Sequence, residues 1–355
     1  MNEATTSKPP PQTTPSAQPY AALSPDLILD AIDETLGSIG KRTDGRLFAL
    51  NSYENRVYQI GIEDQPPMVA KFYRPNRWTN SQILEEHAFV FALDEREVPV
   101  VAPLLLNGQS LHEFKGFRFS LFPKRGGRAP ELDRPEVLEW IGRFMGRIHA
   151  VGAIKPYMHR PTHNLTTFGI EPRDFLLASD FIPVDLREAW ATIAQQALDG
   201  VAACYERAGA GLGLDAANST LKLIRLHGDC HGGNVLYTDD GPHFVDFDDS
   251  RMGPAMLDLW MLLSGSRDEM AAQLREVIEA YEEFYEFDRR ELHLIEALRT
   301  LRLIHYSSWL AQRWSDPAFP HAFPFFNTQR YWQDRILELR EQIGAMSEEP
   351  LALMP

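Results

Sequence analysis

Asp229, Asn234, Asp246 and Asp248 fall within one short stretch, RLHGDCHGGNVLYTDDGPHFVDFDD, residues 225–249. It reads as strand, loop, strand, with polar residues set among small or apolar neighbours. Gly228, Gly232 and Gly233 permit the tight turns that bring Asp229 and Asn234 near each other. Val235, Leu236 and Tyr237 form a short strand, and the Gly-containing turn at 238–241 reverses the chain. His243, Phe244 and Val245 return as a second strand and deliver Asp246 to the loop end. Asp248 follows two residues on, on the same strand face.

An amide oxygen and at least one carboxylate arriving at one point can share a hard cation. Magnesium takes oxygen ligands, commonly one or two carboxylates completed by substrate phosphates. Asp229 suits a base that takes the proton of an attacking hydroxyl. A base, an Asn and a second Asp on the metal, with ATP as donor, are the parts of phosphoryl transfer. A polar hairpin turn would account for any one of these aspartates. It does not account for H-G-D-x-x-x-x-N followed by apolar-apolar-D-x-D. The D-to-N interval equals that of the protein-kinase catalytic loop, H-R-D-x-x-x-x-N. Gly228 stands in place of the Arg, and Asp246-Phe247-Asp248 in place of D-F-G. Those departures speak against regulation by an activation-loop phosphate.

The elements that must position these residues divide into two groups. Residues 26–40 have helical spacing, with Gly as a stop signal. RLFALNSYENRVYQIGIE reads as a hairpin about a SYEN turn. PPMVAKFYR, VPVVAPLLL and FRFSLFPKRGG read as further strands, and NSQILEEHAFVFALDERE as an amphipathic helix between them. After about residue 130 the pattern turns helical: EVLEWIGRFMGRIHAVGA, 184–209, 266–315 and RYWQDRILELREQIGAM. The acidic hairpin is a β island at 223–251 in this helical half. The expected fold class is α+β and two-lobed: a small, mostly antiparallel β-rich N-lobe with one helix at 25–125, and a larger, mostly helical C-lobe at 126–355. Ligands commonly bind in the cleft between such lobes. Residues 1–24, rich in Pro, Thr, Ser and Gln, are expected to be a disordered tail.

Bulk properties narrow the function classes. The chain has 355 residues, 44% hydrophobic, with a formal net charge of −15. That charge argues against broad binding to nucleic acid, and the short basic run KRGGR at 124–128 reads as a solvated turn. Two cysteines, Cys204 and Cys230, lack zinc-ligand spacing and fit a reducing cytoplasm. No apolar run is long enough to span a bilayer, so no membrane partner is expected. The N-terminus lacks the features of a secretion signal. No coiled-coil heptad is evident, and a monomer is the default expectation.

HGDCHGGNVL with VDFDD resembles the aminoglycoside phosphotransferase and choline kinase branch of the protein-kinase-like fold. LNSYENRVYQ, VAKFYRPNRW, ILEEHAFVFALDEREVPVVAP and GRIHAVGA narrow the resemblance to the bacterial stress response kinase A family, over roughly residues 25–345. The resemblance implies a two-lobed fold, ATP, Mg2+, and transfer to Ser or Thr hydroxyls of proteins. It aligns Asp229 with the proton acceptor, and Asn234 and Asp246 with the magnesium ligands. It sets Lys71 where the family's strand lysine pairs the ATP phosphates. The glutamate that would hold Lys71 is Glu85 or Glu86; the register to the following V-P corner favours Glu86, which leaves Glu85 as surface charge. Ser52 would lie near ATP in a phosphate-covering turn that is not glycine-rich, where Ser52 and Asn55 could donate side-chain hydrogen bonds. Ser120 to Pro123 would be the hinge that meets adenine, with Leu236 under the purine. His227 and Asp258 are assigned to structure, as buried polar groups that hold the loop. Cys230, beside the base, reads as a space filler.

Three functions compete. The first is a Ser/Thr protein kinase. The second is a small-molecule kinase acting on an aminoglycoside, choline or a similar alcohol, for which an acidic chain would suit a cationic substrate. The third is a nucleotide-binding pseudokinase switch, disfavoured because base, metal ligands and lysine are all present.

Overall fold

The computed structural model describes residues 19–211 and 219–353. The expected tail thus lies mostly outside the described residues, but its last part is ordered. The Tyr20 hydroxyl donates to the carbonyls of Glu54 and Phe72, and Arg56 lies 4.5 Å over its ring. A lone aromatic in the polar segment supplies the anchor.

Helix α1, Pro25–Gly37, starts at Ser24, whose hydroxyl accepts from the Leu27 amide. It buries Ile28, Ala31, Ile32 and Leu36, one helical stripe, against the sheet. The sheet comprises β1 (Thr43–Ala49), β2 (Arg56–Ile62), β3 (Gln65–Phe72), β4 (His112–Phe114) and β5 (Phe117–Pro123). It is antiparallel, in the order β1-β2-β3-β5-β4. Helix α2, Asn80–Asp94, is inserted between β3 and β4, with a capping box from Thr79 and Gln82. VPVVAPLLL does not form the expected strand. Pro99 and Pro103 have no N–H to give a ladder. The segment makes scattered bonds and no continuous ladder: Val101 and Pro99 with Phe244, Leu104 with Leu121, and Leu106 with Gln109 in a local turn.

The second lobe is mostly helical: α3 (Pro135–Gly152), α4 (Glu171–Ala178) and α5 (Val184–Arg207) precede the acidic hairpin. The hairpin region holds β6 (Ile224–Arg225), β7 (Val235–Thr238), β8 (Gly241–Phe244) and β9 (Met252–Gly253), with β6 on β9 and β7 on β8. Then come α6 (Met256–Leu259), α7 (Arg267–Tyr281), α8 (Ile295–Arg313), α9 (Ala318–Ala322) and α10 (Gln329–Ser347). The stretch expected to be helical at 266–315 holds two helices, α7 and α8, with a 3₁₀ segment at Arg289–Leu294 before α8. Helices α4 and α9 were not legible. One apolar core runs from Phe89 and Val90 of α2 through α3, the hairpin and the helices behind it. Helix α2, inserted between N-lobe strands, thus packs apolar residues on the C-lobe core. No helix among the described residues is long and apolar enough to cross a membrane.

Candidate active site

The loop after β6 is shaped by Gly228, at φ +87°. A Cβ there would lie 2.0 Å from the Asp249 carbonyl oxygen. Neither the backbone conformation nor the space admits a larger residue, which accounts for glycine before Asp229. Asp258 of α6, fully buried, accepts from the amides of His227 and Gly228, both at 2.8 Å, and contacts His149 Nε2 at 3.1 Å. His227 Nε2 meets the Val245 carbonyl at 2.9 Å, tying the loop to the strand before Asp246. His227 and Asp258 thus hold the loop, as expected of them. Cys230 is fully buried, and burial pushes its thiol pKa well up, so it is space filling.

Asn234 is the last residue of a short 3₁₀ turn at Gly232–Asn234. Its Nδ2 donates to the Asp229 carbonyl at 2.9 Å, and its own carbonyl accepts from the Val245 amide at 3.0 Å. Asp229, Asn234 and the residue before Asp246 are thereby stitched together. The strand ends before Asp246, which takes the left-handed conformation, φ 62° and ψ 62°. A non-glycine residue there is uncommon and is typical of functional positions. Asp248 sits in the following 3₁₀ turn at Phe247–Asp249, and not on the expected strand face.

Lys71 of β3 reaches across the cleft. Its Nζ lies 2.7 Å from Asp246 Oδ1 and 3.3 Å from Asp248 Oδ1. Burial alone would lower its pKa; the two carboxylates overcome that and raise it well above the ordinary lysine value. Glu86 is the inward-facing member of its pair, buried on α2, but its ion-pair partner is Arg160, at 3.5 Å. This corrects the expected Lys71–Glu86 pair. Burial pushes the Glu86 carboxyl up to about 7, against the pull of Lys71 and Arg160. Glu85 is not idle surface charge either: it accepts from the backbone amides of Met158, His159 and Arg160.

The turn after β1 differs from expectation in its bonding. Ser52 Oγ donates to the Asn55 carbonyl, and Asn55 Oδ1 accepts from the Arg74 amide. Both side chains brace the turn. Glu54 fastens the same turn to the C-lobe, with Trp309 Nε1 at 2.7 Å and Arg313 Nη2 at 3.0 Å. Asp316 pairs with Arg56 and Arg74, both at 3.2 Å. Leu236 lies half-buried on β7. In the run 124–128, Arg128 exchanges backbone hydrogen bonds with Tyr237 at 3.0 and 2.8 Å, so this end of the turn is structured. Of the expected hinge, Ser120 and Leu121 are buried within the sheet opposite Lys71 and Ala70.

Sequence reasoning missed Arg302. From α8 its Nη1 donates to Asp229 Oδ1 at 2.7 Å, while His231 Nε2 lies 3.5 Å from Oδ2. Burial raises the Asp229 carboxyl pKa, but the His231 hydrogen bond and the Arg302 charge outweigh it and leave it well below the ordinary value. Arg302 is seventy-three positions from Asp229, and no local spacing signals the contact.

The oxygen donors fit a hard cation. Asp246 is half-exposed, and the amide nitrogen of Asn234 is spent on Asp229, which leaves its oxygen as a ligand atom. Among the described residues no group of three or more His, Cys, Asp or Glu is placed so that it could hold a metal ion by itself. Two protein oxygens suit an ion whose shell is completed by phosphates and water.

The model of the phosphotransferase enzyme family matches residues 48–295. Stress response kinase A of Escherichia coli (strain K12) is 46% identical over 340 residues, 96% of this chain and 98% of that protein. Serine/threonine protein kinase RdoA of Salmonella typhimurium (strain LT2) is 44% identical over 336 residues, 95% and 97% of the two chains. Among solved structures, the amicoumacin kinase hAmiN superposes with a TM-score of 0.65 at 17% identity, over 87% of this chain and 90% of that one. A microcompartment-associated aminopropanol kinase gives 0.65 at 14% identity, over 90% and 99%. The structural likeness carries the two-lobed kinase-like fold; the full-length sequence identity carries the closer kinship. The chain belongs to the phosphotransferase enzyme family and, within it, to the stress response kinase A family of kinases.

Proposed function

We propose that the chain transfers the γ-phosphoryl group of ATP, with Mg2+, to Ser or Thr hydroxyls of proteins. The observation that supports this most is the gathering of Asp229, Asn234 and Asp246 around one loop, with Lys71 brought to it from the other lobe. The protein substrate is supported by near full-length identity to a relative named a serine/threonine protein kinase.

Asn234 and Asp246 would hold the magnesium ion, which when bound offsets the charge developing on the transferring phosphates. Lys71 holds the phosphates from the N-lobe side. Asp229 accepts the proton of the attacking hydroxyl; its low pKa keeps it ionised, and Arg302 fixes its orientation. The turn at 50–55, fastened through Glu54, covers the phosphates with side-chain bracing where a glycine-rich loop would use backbone freedom. Leu236 and the Phe122–Pro123 end of β5 would flank the purine.

The test is transfer from γ-labelled ATP with magnesium. Wild type and Asp229→Asn are offered generic proteins in one arm, and aminoglycosides and choline in another. Label on protein Ser or Thr, lost in the variant while ATP still binds, is the expected result. Label confined to a small alcohol would replace the protein substrate with a metabolite or antibiotic.

A further inference from the structure

The ionic contacts of the cleft separate two tasks that the expected Lys71–Glu86 pair would have combined: holding the phosphate-binding lysine, and anchoring helix α2. Lys71 is buried between two aspartates that differ in kind. Asp246 is half-exposed and is the carboxylate read as a metal ligand. Asp248 is 3% exposed and lies behind it. One Asp248 oxygen, Oδ2, takes the Arg77 guanidinium. The other, Oδ1, is buried and makes no hydrogen bond among the described residues; Lys71 Nζ, at 3.3 Å, is its ion-pair partner. Arg77 also binds Asp249 at 2.8 Å, so the carboxylate facing Lys71 is itself held from behind.

Glu86 feels the Lys71 charge but makes its ion pair elsewhere. Arg160 lies 3.5 Å from it and also donates to the carbonyls of Gln82, Asp248 and Ser250 at 2.9, 2.7 and 2.9 Å. Glu85, one residue earlier, caps the amides of 158–160. Helix α2 is thus pinned to the C-lobe segment at 158–160 and, through Arg160, to the turn bearing Asp248, without Lys71.

We propose that Asp248, the second aspartate of D-F-D, is the positioning residue that holds Lys71 for the ATP phosphates, and that Glu86 serves Arg160 and the seating of α2. Asp248 remains beside Lys71 when Asp246 turns to the metal. This rests on reading Lys71 as the phosphate-binding lysine.

The experiment is a double-mutant cycle on ATP affinity, by calorimetry with Mg2+, using the full chain with Asp248→Asn, Lys71→Met, both together, and Glu86→Gln. Asp248→Asn is expected to weaken ATP about tenfold or more, the scale of coupling between contacting charges. In the Lys71→Met background the same change should cost less than about twofold, because its partner is gone. Glu86→Gln should cost ATP affinity less than Asp248→Asn does, and should lower the melting temperature. An equal Asp248→Asn penalty with and without Lys71 would mean a merely structural aspartate and overturn the proposal. So would a loss in Glu86→Gln exceeding about tenfold, a result readable even if Asp248→Asn does not fold. Wild type that binds no ATP would overturn the reading of Lys71 itself, and the proposal with it.

Discussion

Arg302 on α8 and Asp229 on the loop after β6 are joined by a 2.7 Å hydrogen bond between guanidinium and carboxylate, across seventy-three positions of sequence. In the proposed reaction the pair sits at the proton acceptor, whose orientation matters because a base must lie within hydrogen-bond reach of the proton it takes. His231 supports the other oxygen less closely, at 3.5 Å. Arg302→Ala should therefore lower kcat by about tenfold to a hundredfold, the scale of effect of misplacing a catalytic group. The KM for ATP should change little. Steady-state kinetics on the two substrates separately checks this; a rise in ATP KM with kcat intact would assign Arg302 to nucleotide binding.

Asp229→Asn removes the proposed proton acceptor while keeping the size of the side chain and one acceptor oxygen. The loop is held by Asp258 and His227, neither of which depends on the Asp229 carboxylate. Turnover should fall by about 10²–10⁴, the range for general-base removal. The melting temperature and ATP affinity should stay close to wild type. Normal turnover in this variant would remove Asp229 from the role of base.

Gly228→Ala tests the loop from the backbone side. The added Cβ meets a carbonyl, not a flexible side chain, and the positive φ is strained for alanine. Destabilisation should exceed roughly 1 kcal/mol, the most that a compatible Gly-to-Ala change gains, because this site is incompatible with alanine. Activity should fall further than stability, because Asp229 is the next residue. Chemical denaturation alongside kinetics distinguishes the two losses.

Glu54 ties the 50–55 turn to α8, with cations Arg313, Arg74 and Arg77 around it at 2.5 to 3.7 Å. Glu54→Gln leaves Arg313 without its counter-ion, while Arg74 keeps Asp316 and Arg77 keeps Asp248 and Asp249; breaking a buried pair costs several kcal/mol, about 3–5. The pair here is mostly buried, so the lower end is expected. Hydrogen exchange at 50–56 should speed up and the ATP KM should rise. Unchanged exchange would show that Tyr20 and the Asn55 bracing suffice to hold the turn.

Glu291 is buried and accepts the Met256 amide at 2.7 Å, and burial pushes its carboxyl up to about 8. A carboxyl raised above its unfolded value binds its proton more tightly when folded. Its contribution is therefore fully present below about pH 4.5 and is lost as pH rises through about 8. Glu291→Gln keeps the acceptor oxygen and removes the titration. Melting temperatures taken from pH 5 to 9 should fall less with pH in the variant. A parallel decline in both proteins would place the alkaline sensitivity elsewhere.

What the sequence determined by itself was local in origin. Glycines at 228, 232 and 233, the apolar strands about 235–237 and 243–245, and the Asp and Asn spacing are short-range constraints, and they announce the loop before any fold is known. The same holds for α1, α3, α5 and α10, whose buried apolar residues repeat at helical spacing. Tertiary structure alone decided the rest, because it concerned which charge meets which. Adjacent Glu85 and Glu86 differ only in the direction they face, and both found partners at 158–160, on the other lobe. Lys71 met Asp246 and Asp248, one hundred and seventy-five and one hundred and seventy-seven positions away, and Asp229 met Arg302. VPVVAPLLL had the composition of a strand and lost it to two prolines and a missing neighbour. Ion pairs carry no periodicity along the chain; only packing the two lobes against α2 and α8 brings such groups within a few ångströms of one another.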